Sequence, residues 1–411
     1  MRGFLRFKFL KPKLKLRMVV SVITAIGIIA ASAGITAGGA AAWAKEPATP
    51  ELTLAQAVEK ALANSKALKT GEYDIERAEE VREKAADNVT WKPAGGGLSG
   101  EAAAVASRAF TGLVQADLAW QMSKKAYNAE KDSVVMSVYQ AYNGVLQARE
   151  KRRAAELAYK SADLAHRAAV ASLRAGVISK SDFLKSEAGL AGGKAGLEAA
   201  EKALADAYQK FNQLVGLWPE DRPVLVDRPS FSPLQIDSLD TEVERAVEES
   251  PSQWLAEKKI DLAKLSLDLY VFNDPTNPDP YKAKEIDVEK AEISAAEAKD
   301  QMRQLARSLY YSIRQLEEQY AGLEHQAAVA GENLRVAKLK YDLGMVTRTD
   351  LATAESALAE AQKALLDAAA QHEVLIMAFE KPWAYAGAAA SGAGGGSGSA
   401  AGAAGASGGR G

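Results

Sequence analysis

The chain has 411 residues, a formal net charge of −2 and no cysteine. The absence of cysteine excludes disulfide bonds, thiolate metal sites, thiol nucleophiles and a lipid attached to an N-terminal cysteine. The three histidines, His166, His325 and His372, are far apart and none belongs to a paired ligand motif, so we expect neither a metal nor a cofactor.

The first 44 residues have the pattern of a secretory signal peptide. Residues 2–17 carry seven Lys or Arg and no acidic residue, residues 18–42 are apolar, and Ala42-Trp43-Ala44 resembles a cleavage site. We expect cleavage there and export of the mature chain; an uncleaved membrane anchor is the alternative, since the apolar stretch is long enough to span a bilayer. Cleavage would lower the net charge from −2 to −9, which disfavours nucleic acid as a partner.

The middle of the chain contains an internal repeat. Residues 175–183 (AGVISKSDF) return 168 residues later as residues 343–351 (LGMVTRTDL). Residues 58–62 (VEKAL) return 185 residues later as residues 243–247 (VERAV). Because the offsets of 168 and 185 differ by 17, the first half has about 17 extra residues. We expect them within 88–115, where Trp, Pro and Gly interrupt the helical pattern.

Long helices are predicted on both sides of each repeated segment. Residues 117–175 and 284–343 precede the two copies, and residues 180–216 and 348–381 follow them. All four stretches lack proline and are rich in strong helix formers. A helix of 59 residues would be roughly 90 Å long, a length typical of coiled coils and helical tubes. The sequence therefore predicts an all-α protein of two tandem repeats of long antiparallel helical hairpins, with little or no β structure.

Glycines in the helix over 180–216 predict a very close contact with a neighbouring helix. Gly189, Gly193 and Gly196 lie on one face at helical spacing. Each would weaken an isolated helix by up to about 1 kcal/mol relative to alanine, so close packing is the better explanation.

Each repeated segment has the chemistry of a tight turn between two helices. A glycine can take the left-handed conformation that ends the first helix, and a Ser or Thr with an Asp three residues later can cap the second. Two apolar residues lie between them, and stapling against the next helix explains them only in part. The ten residues are Gly176, Val177, Ile178, Ser179, Asp182, Gly344, Met345, Val346, Thr347 and Asp350.

These features divide the chain into five parts. The last of them is almost wholly Gly, Ala and Ser and should be disordered, because it cannot bury enough apolar area. The parts are the signal peptide (1–44), the first helical-hairpin repeat (45–217), a Pro-rich connector (218–238), the second helical-hairpin repeat (239–385) and the tail (386–411).

The duplicated turn resembles that of the TolC family of outer-membrane efflux proteins. Residues 52–58 (LTLAQAV) resemble the start of the family's first helix, and residues 214–217 (LVGL) resemble the end of its first repeat. The resemblance covers about residues 52–380. In that family three protomers form a long helical tunnel, and the repeated turns at its proximal tip meet a periplasmic adaptor (membrane fusion) protein. The adaptor links the tunnel to an inner-membrane transporter.

The resemblance implies a TolC-like α-barrel or coiled-coil architecture, a homotrimer and an adaptor-docking role for the ten turn residues. It also implies an exported protein of the cell envelope, in the outer membrane or the extracytoplasmic space. The sequence departs from the family at the barrel strands, which need roughly 9–11 residues each. Residues 271–283 contain three prolines, and residues 101–108 favour helix. We therefore expect shortened or missing strands, which leaves membrane insertion open.

Three interpretations of function follow, and none is enzymatic, since the sequence has no P-loop and no H-E-x-x-H motif. The first is a component of an efflux or export system that forms, or derives from, a trimeric helical conduit. The alternative is a helical spacer or scaffold of the cell envelope that conducts nothing. A third is an adaptor-like coiled coil, against which the lack of lipoyl-like β motifs counts.

Overall fold

The structure is a computed structural model that describes residues 48–89, 101–270 and 279–385. The expected signal peptide at 1–44 and the expected disordered tail at 386–411 lie outside these residues. The described residues belong to one compact unit. Within them, no helix is both long enough and apolar enough to cross a membrane.

Eight helices of more than ten residues and two very short strands make up the described chain. In the first half they are β1 (Glu51–Leu52), α1 (Leu54–Asn64), α2 (Lys66–Asp87), α3 (Glu101–Arg174) and α4 (Lys180–Val215). In the second half they are β2 (Val224–Leu225), α5 (Leu239–Glu249), α6 (Pro251–Asp268), α7 (Tyr281–Asp342) and α8 (Arg348–Glu380). The two strands pair in parallel. The all-α fold with little β structure is thus confirmed for the described residues.

The ends of the four long helices agree closely with the sequence prediction, with one exception. α3 begins at Glu101, not near residue 117, and has 74 residues, which makes it about 110 Å long. The reason is local, because residues 101–116 contain six alanines and no proline. Part of the region expected to interrupt the helices is therefore itself helical.

The long helices lie side by side in the order α4, α3, α8, α7. α2 packs against α3, and α6 packs against α7, so each half presents a similar set of neighbours. In this order α3 and α8 have a long helix on both sides. α4 and α7 have a long helix on one side only.

Two of the apolar clusters among the described residues pack the long helices together. In the first, Tyr142 of α3 packs edge-on against Phe211 of α4, with the ring centres 5.9 Å apart. The second joins the two halves, since Met136 of α3 packs with Ile313 of α7 and Phe379 of α8. Full burial of side chains of this size stabilises the fold by about 1.5–3 kcal/mol each.

Polar side chains from the long helices fix the start of the connector. The Asn212 amide donates to the carbonyl oxygens of Trp218 and Asp221, at 2.9 Å each. The Tyr142 hydroxyl accepts from the N–H of Asp227 at 3.0 Å and donates to the carbonyl oxygen of Leu52 at 3.3 Å. Because Asn212 and Tyr142 are buried, the connector is held by bonds that water does not reach.

Candidate docking turns

The first turn, between α3 and α4, closes with the hydrogen bonds of a Schellman motif. Gly176 has a φ of 71°. The N–H of Val177 donates to the carbonyl oxygen of Ser172 at 2.9 Å, and the N–H of Gly176 donates to that of Leu173 at 3.0 Å. A side chain is strained at such a φ, so glycine is the natural residue here.

The second turn, between α7 and α8, has the same geometry. Gly344 also has a φ of 71°. The N–H of Met345 donates to the carbonyl oxygen of Lys340 at 2.8 Å, and the N–H of Gly344 donates to that of Tyr341 at 2.9 Å. The left-handed conformation expected of both glycines is therefore present, and it aims the next residue of each turn outwards.

The helix that follows each turn is capped as the sequence predicts. Ser179 Oγ accepts from the N–H of Asp182 at 3.1 Å, and Thr347 Oγ1 accepts from the N–H of Asp350 at 3.2 Å. At the second turn the N–H of Thr347 also donates to Asp350 Oδ2 at 2.9 Å, which completes a capping box. Caps on both sides make each turn rigid.

The two capping carboxylates are held in their charged form. The Ser179 hydroxyl and then the Lys185 ammonium lower the pKa of Asp182. The backbone N–H of Thr347, followed by its hydroxyl, lowers the pKa of Asp350. Both carboxylates lie beside a helix N-terminus, where a negative charge is favourable.

Apolar side chains project from both turns into solvent. Val177 is 75% exposed and Met345 is 69% exposed, whereas Ile178 and Val346 are half-buried. Leu343, outside the predicted set, is 74% exposed beside Met345. In the sequence it is recognisable as an apolar residue directly before the turn glycine. Capping explains the glycines, hydroxyls and carboxylates, but it does not explain the exposed apolar residues.

A polar cluster around the fully buried His372 contacts the connector and was not predicted from the sequence. Glu317 Oε1 accepts from the N–H of Leu234 at 2.6 Å and lies 3.2 Å from His372 Nε2. Arg314 donates to Glu317 Oε2 at 2.7 Å, and Phe231 stacks on Tyr320 with ring centres 3.7 Å apart. His372 is fully buried. The cluster has no local signal, because Glu317 and His372 are 55 residues apart.

The charge of Glu317 is stabilised by this cluster. Burial alone would raise the pKa of the carboxyl, but the N–H of Leu234, Arg314 and His372 outweigh it, so the pKa lies below its ordinary value. Elsewhere in the described ranges, no group of three or more His, Asp or Glu side chains is arranged to hold a metal ion.

The fold is shared with channel proteins of the outer membrane. CusC, studied for folding and transmembrane channel formation, matches with a TM-score of 0.60 and 12% identity over 82% of this chain and 93% of its own. The Campylobacter jejuni CmeC outer membrane channel matches with a TM-score of 0.54 and 14% identity over 89% of this chain and 94% of its own. The Neisseria gonorrhoeae MtrE outer membrane channel matches with a TM-score of 0.54 and 17% identity over 80% of this chain and 88% of its own.

No protein-family model matches the sequence, and a search of the curated proteins finds no match. At identities of 12–17%, the similarity to these channels shows a shared fold only. The TolC-like fold expected from the duplicated turns is thereby confirmed.

Proposed function

We propose that the mature chain is exported to the cell envelope and is a component of an efflux or export system. Several copies, three by the TolC resemblance, would enclose a helical conduit. The observation that carries this proposal is the fold, which matches outer-membrane channels along more than three quarters of the chain. Helices of 74 and 62 residues are much longer than a globular core requires, and they suit the wall of a tube.

In this proposal the chain has a structural and transport role and performs no catalysis. The signal at 1–44 would direct export, and the connector at 218–238 would join two helical-hairpin repeats at 45–217 and 239–385. The partners are further copies of the chain, a periplasmic adaptor protein and an inner-membrane transporter.

The two turns are proposed as the adaptor-docking sites. The ten residues are Gly176, Val177, Ile178, Ser179, Asp182, Gly344, Met345, Val346, Thr347 and Asp350. Three observations support this role. The turns are rigid, they carry exposed Val177 and Met345, and their caps leave these side chains without a structural task. Exposed apolar groups on a rigid support are typical anchors of protein interfaces. Two turns per chain would add avidity.

A double substitution, Val177→Asn with Met345→Gln, tests docking. We expect the variant to keep its helix content and melting temperature, because both side chains are largely in solvent. We expect it to lose co-purification with the adaptor and to lose export activity in cells.

The control is Ser179→Ala with Thr347→Ala, which leaves the apolar residues in place. Each lost cap should lower the free energy of unfolding by about 1 kcal/mol, so this pair shows how much adaptor binding is lost through lower stability alone. Normal adaptor binding and export by a folded Val177/Met345 variant would remove the docking role from the turns.

A further inference from the structure

Met345 is the only methionine among the described residues whose side chain lies mainly in solvent, at 69% exposed. Met136 and Met302 are buried, at 0% and 8% exposed, and Met122 and Met377 are half-buried. The chain has no cysteine, so thioethers are its only sulfur groups. A two-electron oxidant that reaches the protein therefore meets the sulfur of Met345 before any other described sulfur atom.

The equivalent position of the first turn carries no sulfur. Val177 and Met345 each follow a glycine with a φ of 71°, and the N–H of each closes the same kind of Schellman hydrogen bond. Their side chains are exposed to a similar degree. A thioether has a lone pair that a peroxide can oxidise, whereas a branched hydrocarbon has none. The two turns thus share a geometry and differ in their response to an oxidant.

The turn around Met345 lets the sulfur react without disturbing the fold. The N–H of Met345 donates to the carbonyl oxygen of Lys340 at 2.8 Å, and the capping box of Thr347 and Asp350 follows directly. None of these contacts uses the sulfur, so none is lost when the sulfur is oxidised. A Cβ at the neighbouring Gly344 would meet nothing within 4 Å, which shows that the turn is open on that side.

We propose that Met345 is an oxidation site and that its sulfoxide weakens adaptor docking by the second turn. The oxidant is a peroxide. The sulfur lone pair attacks one oxygen of hydrogen peroxide, an S–O bond forms as the O–O bond breaks, and the proton of the attacked oxygen passes to the other oxygen, which leaves as water. The sulfur is oxidised by two electrons and the peroxide is reduced by two. An exported protein lies outside the thiol systems that keep the cytoplasm reduced.

The sulfoxide changes what the second turn offers to a partner. Oxidation gives an apolar side chain a polar oxygen that accepts hydrogen bonds. In the free chain water solvates that oxygen. In an apolar contact, beside the exposed Leu343, it would be buried without a donor, which should weaken binding roughly tenfold or more. Val177 keeps its anchor, but the avidity of two turns would be lost. This effect rests on the proposed function, in which the second turn binds the adaptor.

The order of oxidation tests the site. The purified mature chain is treated with a graded series of hydrogen peroxide concentrations, digested with trypsin and measured by mass spectrometry. Trypsin releases Met345 within residues 341–348, which contain no other methionine. We expect the sulfoxide at Met345 to form first, well before those at the buried Met136 and Met302. Oxidation of Met122 or Met377 ahead of Met345 would overturn the proposed site.

Adaptor binding tests the effect. The probe is the adaptor that co-purifies with the untreated chain from cells, and it is added after the peroxide has been removed. Each variant is compared with its own untreated sample, so a change of basal binding does not enter. We expect peroxide to lower binding by the wild-type chain roughly tenfold or more. Methionine sulfoxide reductases for both sulfoxide epimers should restore it.

Two leucine substitutions assign the loss of binding to one sulfur atom. Met345→Leu removes the exposed thioether, so peroxide should no longer change its adaptor binding. Met122→Leu, the matched control on α3, removes a half-buried thioether and should leave binding as sensitive to peroxide as in the wild type. An equal loss in Met345→Leu and in the wild type would overturn the effect of the sulfoxide.

Oxidation of Met345 and docking by the turns can fail separately. Suppose that Met345 is oxidised first, that wild-type binding does not change, and that Val177→Asn with Met345→Gln loses the adaptor. The effect of the sulfoxide is then wrong and the docking role stands. If that double variant keeps the adaptor, or the untreated chain binds none, the docking role is wrong and the effect on docking falls with it. The order of oxidation still decides the site in either case.

Discussion

At the residue scale, Glu317 is the side chain that ties the connector to the second half. It bonds the backbone of Leu234, the guanidinium of Arg314 and the ring of His372. Replacing a carboxylate that accepts from three donors leaves at least one of them without its acceptor. We therefore expect the connector to be sensitive to changes at this position.

Acid should weaken the protein through Glu317. Its pKa in the folded chain is below the ordinary value of 4.5, so the folded state keeps the charge to lower pH than the unfolded state does. The stabilisation is complete above the ordinary value and is lost as pH falls through the folded pKa. We expect Glu317→Gln to lower the free energy of unfolding at pH 7 by roughly 1–3 kcal/mol. We also expect it to flatten the decline between about pH 5 and pH 3.

The matched control is Glu318→Gln, the neighbouring carboxylate, which is exposed on the same helix. Urea unfolding at several pH values measures both variants. An acid decline of the same slope in the wild type and in Glu317→Gln would show that other groups cause it.

At the scale of the element, local chemistry made the turns and helix ends predictable. A glycine, a hydroxyl and an aspartate within seven residues specify a C-cap and an N-cap by contacts with their own backbone. Glu317 and its partners could not be found in this way, because Leu234 and His372 reach it only through the folded chain. The exposure of Leu343 likewise depends on which sides of the helices are covered.

The glycine face of α4 was predicted correctly at one position and wrongly at two. A Cβ at Gly193 would lie 3.3 Å from Tyr159 Cα and 3.4 Å from Ala162 Cβ, so α3 does approach α4 closely there. A Cβ at Gly189 or Gly196 would meet nothing within 4 Å. The packed stripe of α4 follows Gly193 and its neighbours at 190 and 197, which places Gly189 and Gly196 one residue to the side.

Enlarging Gly193 should separate α3 from α4. We expect Gly193→Val to lower the free energy of unfolding by about 1–3 kcal/mol, since Tyr159 presents backbone that cannot rotate away. Gly192→Val is the control, because the adjacent Gly192 faces open space. Thermal melting followed by circular dichroism compares the two. Equal melting temperatures would mean that the α3–α4 contact is loose enough to absorb the side chain.

At the scale of the whole molecule, the side-by-side order of the long helices places α4 and α7 at its two edges, where each has a long helix on one side only. A conduit requires these two edges to meet in neighbouring copies, whereas a spacer can leave them in solvent. The sequence is compatible with both roles. The apolar pattern of a helix identifies its packed side, but it does not say whether the exposed side meets another copy. The exposed Tyr311, Val329 and Leu184 favour the conduit.

The native mass of the mature chain therefore decides between conduit and spacer. We expect one species at a whole multiple of the chain mass, three by the TolC resemblance, with a central opening in negative-stain images. If Tyr311, which is 63% exposed in one chain, lies between copies of the conduit, Tyr311→Lys should shift this species to the monomer, because an ammonium would be buried there. Gln319→Lys, on the same helix, should leave it unchanged, since the α3 counterpart of Gln319 is Lys151, which stays exposed beside α8. A wild-type chain that is monomeric at every concentration would identify it as a spacer. Dissociation by both lysine substitutions would mean that added charge, and not the loss of a contact at Tyr311, breaks the assembly.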